Sequence, residues 1–154
     1  MGNHKLIAPL IDASLTRRAV VKGVKIVHFM DGGFPGIFKG DSSVVGELMI
    51  PLPGKEAEMM LVLDELEEYY PNDPTKKSMY QRCTVQTHCP EDHTAPLVDA
   101  WAYYCIAVGW MEEYRGVIIE PAGDEPVSWK NFVMEHELPT AGGDWADGKY
   151  VEQF

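Results

Sequence analysis

Apolar and polar positions along this chain fall into blocks whose period changes from one block to the next. Over residues 16 to 29 the β-branched density of AVVKGVKIVHF predicts a long strand, or two joined near Gly23. DGGFPG follows at 31 to 36, and three glycines with a proline in six positions predict a turn or loop. Residues 43 to 52, SVVGELMIPL, read as a second strand in which Gly46 marks a bulge or a close backbone approach. Pro53-Gly54 turns the chain into residues 55 to 69, the best helix in the sequence.

PNDPTKKS, at 71 to 78, is polar and broken by proline, so it predicts a surface loop. MYQRCTVQTH (79 to 88) and LVDAWAYYCIAV (97 to 108) have strand character and flank the loop CPEDHTAP, which predicts a hairpin. The pattern thins beyond Gly109, leaving a short strand at 116 to 120 and a helical turn at 129 to 135. The Gly- and Asp-rich tail carries no propensity that assigns it. At the other end HKLIAPLI is apolar enough to dock on the rest, with Pro9 keeping any helix there short. Strands in the majority with one good helix predict an α+β or barrel-like domain.

The chain has 154 residues, the size of one domain, with 45% hydrophobic and 24% charged residues, ordinary for a globular protein. Its 13 Lys plus Arg against 24 Asp plus Glu give a net charge of −11, which repels phosphate backbones and sets nucleic acid aside as a partner. No apolar run approaches the roughly 20 residues that cross a bilayer, so no membrane partner is expected. The start lacks the basic and apolar regions of a signal peptide, so a cytoplasmic protein is expected. Cys83, Cys89 and Cys105 are odd in number and irregularly spaced, as suits free thiols.

The predicted helix holds four carboxylates in five positions, Asp64, Glu65, Glu67 and Glu68. At about 100° per residue, Met59, Val62, Leu63, Leu66 and Tyr70 form one apolar stripe. Glu65, Glu68 and Asp64 point more than roughly 110° from its centre, toward solvent, whereas Glu67 sits at about 85°, on the margin of the buried face. A carboxylate beside apolar surface loses hydration, and its pKa rises toward the range where it both accepts and returns a proton. The alternative is a boundary residue paired with Arg82, Lys76 or water, and helical spacing leaves both open. Tyr80 and Arg82, two apart on a strand, share a face, so either one reaches a pocket while the other ties down a carboxylate or the strand carries an ordinary surface arginine. Cys83, His88, Cys89 and His93 lack the spacing of a zinc site, so no metal is expected.

GGFPGIF, VVGELM, LVLDELEEYYP, MYQRCTVQ and DAWAYYC follow one another in an order and spacing that resembles the gamma-glutamylcyclotransferase-like family, of the AIG2-like or gamma-glutamylamine cyclotransferase type. The similarity covers about residues 3 to 108, and GGDW at 142 to 145 is similar to a Gly-Asp-Trp in the tail of some bacterial members. The resemblance implies one domain over 1 to 154 with an α+β fold, a mixed β-barrel-like sheet and one main helix. It implies Glu67, which ends the Leu-Asp-x-x-Glu motif, as the catalytic acid/base. It places Gly33, Phe34, Pro35, Tyr80, Arg82 and Tyr103 around a small-molecule γ-glutamyl substrate. The implied reaction closes 5-oxoproline and expels an amine or amino acid, with no metal or organic cofactor.

Family members open with a strand carrying aromatic-Gly-Ser/Thr-Leu, whereas MGNHKLIAPL resembles the segment after that strand. The expectation is that the C-terminal tail or a second copy of the chain, as a homodimer, fills the gap. A catalytically inactive member serving as a binding or assembly module is the alternative reading.

Overall fold

The computed structural model of the protein describes residues 4–92, 94–107, 109–138 and 140. In chain order the elements are α1 (His4–Ile7), a 3-10 turn (Ala8–Leu10), β1 (Arg17–Phe29), β2 (Phe34–Leu48), α2 (Glu56–Leu66), β3 (Tyr80–His88), β4 (Val98–Cys105), α3 (Trp110–Glu113), β5 (Gly116–Ile118) and α4 (Trp129–Glu135). The fold is α+β, a five-stranded mixed sheet of order β2-β4-β3-β1-β5. A further β1–β2 pairing brings the order back on itself, as expected of a barrel-like sheet, but two of the seams are narrow. β2 and β4 meet in parallel at Ile37 and Tyr104 alone, and β1 meets β3 at Val20 and Val21.

β1 is the spine. It is one strand, and near Gly23, whose φ of 74° is open to glycine at little cost, its register against β2 slips. In its second half successive side chains are buried on both faces, because strand residues alternate sides and each side is covered. Ile26 packs with Ile119, Val127, Trp129 and Val133 under α4. Val27 and Phe29 pack with Tyr80, Cys105 and Trp110 on the other side. His28, fully buried, points to the α4 side, where the Trp129 indole N–H donates to its Nδ1 at 3.0 Å.

The apolar N-terminal segment docks on the helix as its composition predicts, with Leu10 and Ile11 against Met59. The β3–β4 hairpin forms, antiparallel from Tyr80 opposite Cys105 to Thr87 opposite Val98. The three cysteines are free thiols. Among the described residues no helix is long and apolar enough to cross a membrane.

Three expectations are corrected. The turn at 31 to 36 is shorter, because Phe34 and Pro35 already pair with Phe29 and His28, and Gly33, at φ 62°, completes the reversal. Gly46 is no bulge: it sits opposite Ala19 in regular register, and a Cβ there would meet nothing within 4 Å. The helix ends at Leu66, because Glu68 takes a left-handed φ of 47°. The Tyr69 N–H then reaches back to the Asp64 carbonyl at 2.8 Å and the Glu68 N–H to that of Glu65 at 3.3 Å, the Schellman closure of a helix end. The C-terminal tail, GGDW included, lies outside the described residues apart from Thr140.

Candidate active site

The Schellman closure sets the location of Glu67. It makes Glu67 the last residue of the helical spiral, with its N–H bonded to the Leu63 carbonyl at 2.9 Å. From Glu68 the chain leaves in a new direction, and the Glu68 carbonyl accepts from the Met79 N–H at 3.1 Å, one residue before β3. The helix end is thus tied to the start of the hairpin, and Glu67 and Tyr80 become neighbours.

The carboxyl of Glu67 is partly buried, and loss of hydration raises it from an ordinary 4.5 to about 7. No Lys, Arg or His of the described residues forms an ion pair with it. Tyr80 is buried, and its phenol is pushed up first by burial and then by the negative charge of Glu67, with smaller contributions from Cys105 and Glu68. The Tyr80 hydroxyl donates to the Pro35 carbonyl at 3.4 Å. The Glu67 carboxyl thus stands close enough to Tyr80 to act on its phenol, and Tyr80 in turn bonds to the start of β2. At neutral pH Glu67 is divided between its two protonation states, the condition for moving a proton both ways.

A second group lies one helical turn back. Arg82 Nη1 donates to both carboxylate oxygens of Asp64 at 2.8 Å, and the Tyr103 hydroxyl donates to Asp64 Oδ1 at 2.6 Å. Arg82 and Tyr103 face each other across the β3–β4 ladder, so the hairpin presents both at once. The guanidinium also lies 5.5 Å from the Tyr69 ring centre and 5.2 Å from that of Trp101. Of the expected division, the half that falls to Arg82 is seen, since Arg82 ties down a carboxylate; Tyr80 stands beside Glu67 but packs in the buried aromatic cluster and does not line the cavity described below. That carboxylate is Asp64, which the helical wheel turned toward solvent and the structure half-buries.

The remaining expected residues are placed less directly. Phe34 packs in the aromatic cluster, 5.1 Å from Phe29 and 6.0 Å from Trp110 between ring centres. Gly33 spends its N–H on the Phe29 carbonyl at 2.7 Å. Sequence reasoning overlooked Asp64 as the partner of Arg82 and Cys105 as the neighbour of Tyr80. The Leu-Asp-x-x-Glu spacing shows only that Asp64 lies one turn from Glu67, and both pairings depend on the hairpin register. A cavity of about 320 Å³ lies away from these groups, at the far end of β3, lined among others by Arg17, Arg18, His88 and Cys89.

Compared with known families, residues 1–131 match the family described as gamma-glutamyl cyclotransferase, AIG2-like. No curated protein and no solved structure matches the chain.

Proposed function

The chain belongs to the gamma-glutamyl cyclotransferase, AIG2-like family, and from that membership and the setting of Glu67 we propose that it releases 5-oxoproline from γ-glutamyl compounds. Family membership supports a gamma-glutamyl cyclotransferase-like activity. The single observation that carries the finer reading is a carboxyl held at about 7, without a cationic partner among the described residues, at the position that ends the Leu-Asp-x-x-Glu motif.

The chemistry asks little beyond a fold that curls the substrate and one group that moves a proton. Ionised Glu67 takes a proton from the α-ammonium of the γ-glutamyl group, and the freed nitrogen pair attacks the γ-carbonyl carbon of the same molecule. A carbon–nitrogen bond forms and the carbonyl electrons move to oxygen. When the oxyanion collapses, the bond to the departing nitrogen breaks and that nitrogen leaves with the proton from Glu67, while the ring nitrogen gives up its second proton to the departing amine or to water, leaving the neutral lactam. Nucleophile and electrophile share one short chain, so holding it in a ring-like pose supplies effective concentration that a bimolecular attack lacks. Tyr80, neutral and adjacent, supplies a hydroxyl at the edge of the site, with the 33 to 35 segment beyond it.

A turnover screen over γ-glutamyl amino acids, γ-glutamylamines and glutathione, with 5-oxoproline as the product measured, tests the proposal. Release is expected for at least one class, and Glu67→Gln is expected to lower it by about 10²- to 10⁴-fold, the worth of a positioned acid/base. Equal turnover by the variant refutes the assignment.

A further inference from the structure

Arg82 poses a problem for a carboxyl that has to exchange protons. It lies on the same strand face as Tyr80, about 7 Å further along β3, and the carboxylate it grips is one helical turn, about 5 to 6 Å, from Glu67. A guanidinium held one helical turn away is the cation best placed to pair with Glu67 instead. Such a pair would hold Glu67 ionised and take away its ability to return a proton.

The observed geometry prevents this. Asp64 offers both oxygens to Arg82 Nη1 at 2.8 Å, and Tyr103 fixes Asp64 from the next strand at 2.6 Å. Tyr69 and Trp101 lie beside the guanidinium. We propose that Asp64 is a positioning residue that, anchored by Tyr103, sequesters Arg82 and so keeps Glu67 without a cationic partner. Asp64 and Arg82 also cancel each other's charge, so together they impose little net field on the carboxyl one turn away. The titratable groups shown around Glu67 and Tyr80 are Cys105 from β4 and Glu68 past the helix end, and one helical turn back the Asp64 group adds Arg82 from β3, Tyr103 from β4 and Tyr69 past the helix end. Arg82 is the cation of that group, and Lys76, the other cation the sequence offered as a partner, sits 4.1 Å over the centre of the Tyr70 ring.

The inference rests on Glu67 being the proton carrier, and its test is independent of turnover. The midpoint of the Glu67 carboxyl is followed by NMR in protein labelled with ¹³C at glutamate side chains, with Glu67→Gln identifying the resonance. Asp64→Asn keeps the shape of the partner but removes its charge and releases Arg82, so the midpoint is expected to fall by about one pH unit or more. Arg82→Met leaves Asp64 charged and unpaired, so the midpoint is expected to rise. The double variant is neutral again, and its midpoint is expected to return to that of the unaltered protein.

A midpoint unmoved in Asp64→Asn, or one still depressed in the double variant, overturns the proposal. A purely structural role would lower stability in all three without this pattern of signs. If Asp64→Asn does not fold, Arg82→Met alone decides, since a midpoint that stays or falls in it contradicts the charge balance. Absence of 5-oxoproline release with the pattern intact would sink the activity and leave the clamp standing.

Discussion

Replacing Glu67 by Gln has a consequence for stability as well as for rate, and the two have opposite signs. Burial raises the carboxyl from 4.5 to about 7, so the folded chain holds this proton where the unfolded chain has already released it. Such a group stabilises the fold in full below the unfolded value, and the contribution is lost as pH rises through the folded one. At about 1.4 kcal/mol per pH unit the whole displacement is worth about 3 kcal/mol. Gln is neutral at every pH and never meets the penalty. Its advantage over Glu is therefore about 1.4 kcal/mol at pH 5.5 and about 3 kcal/mol above pH 8, apart from a constant offset for the amide's own hydrogen bonds.

Urea unfolding followed by tryptophan fluorescence at four values between pH 5.5 and 8.5 measures the difference directly. It is expected to grow by roughly 2 kcal/mol across that range, and at high pH the melting temperature is expected to rise by about 6 to 12 °C for a domain of this size. A difference that stays flat with pH refutes the claim that Glu67 is a carboxyl short of water. One that shrinks with pH shows it stabilised as an anion.

Three further outcomes are expected. Tyr80→Phe removes the hydroxyl that donates to the Pro35 carbonyl, and kcat/KM for 5-oxoproline release is expected to fall about tenfold with stability within about 1.5 kcal/mol; unchanged kinetics would put Tyr80 outside the site. Gly36→Ala sets a Cβ 2.7 Å from Cε2 of Phe29, a fully buried ring with no room to retreat, and a loss of about 1 to 3 kcal/mol is expected in urea unfolding. Glu68→Gly relieves the left-handed φ of 47° at the helix end and is expected to add about 1 kcal/mol in the same assay, whereas a loss would mean that the Glu68 side chain contributes more than its backbone costs.

The strands were legible from their dense β-branched and aromatic residues bounded by turn residues. The first strand, the hairpin and the short helix at 129 to 135 stand within a few residues of where the pattern predicts them. Glu67 at the margin of the apolar stripe was legible from the helical period. What the pattern misjudged depends on other parts of the chain. A helical wheel contains one element, so it turned Asp64 outward; the neighbours that half-bury it, Arg82 and Tyr103, arrive from a hairpin whose register no local pattern encodes. Phe34 and Pro35 carry turn composition, yet the long β1 draws them into its ladder. His28 looked like one more strand position, and its full burial follows only once α4 places Trp129 above it.

The central claim is that Glu67 moves the proton, and the pH dependence of kcat/KM for 5-oxoproline release reads the free protein's base most directly. The account predicts an acid limb in which the rate rises through a midpoint near 7, where burial holds the carboxyl. A rate independent of pH from 5.5 to 8, or a limb centred near the ordinary carboxylate value of 4.5, contradicts it.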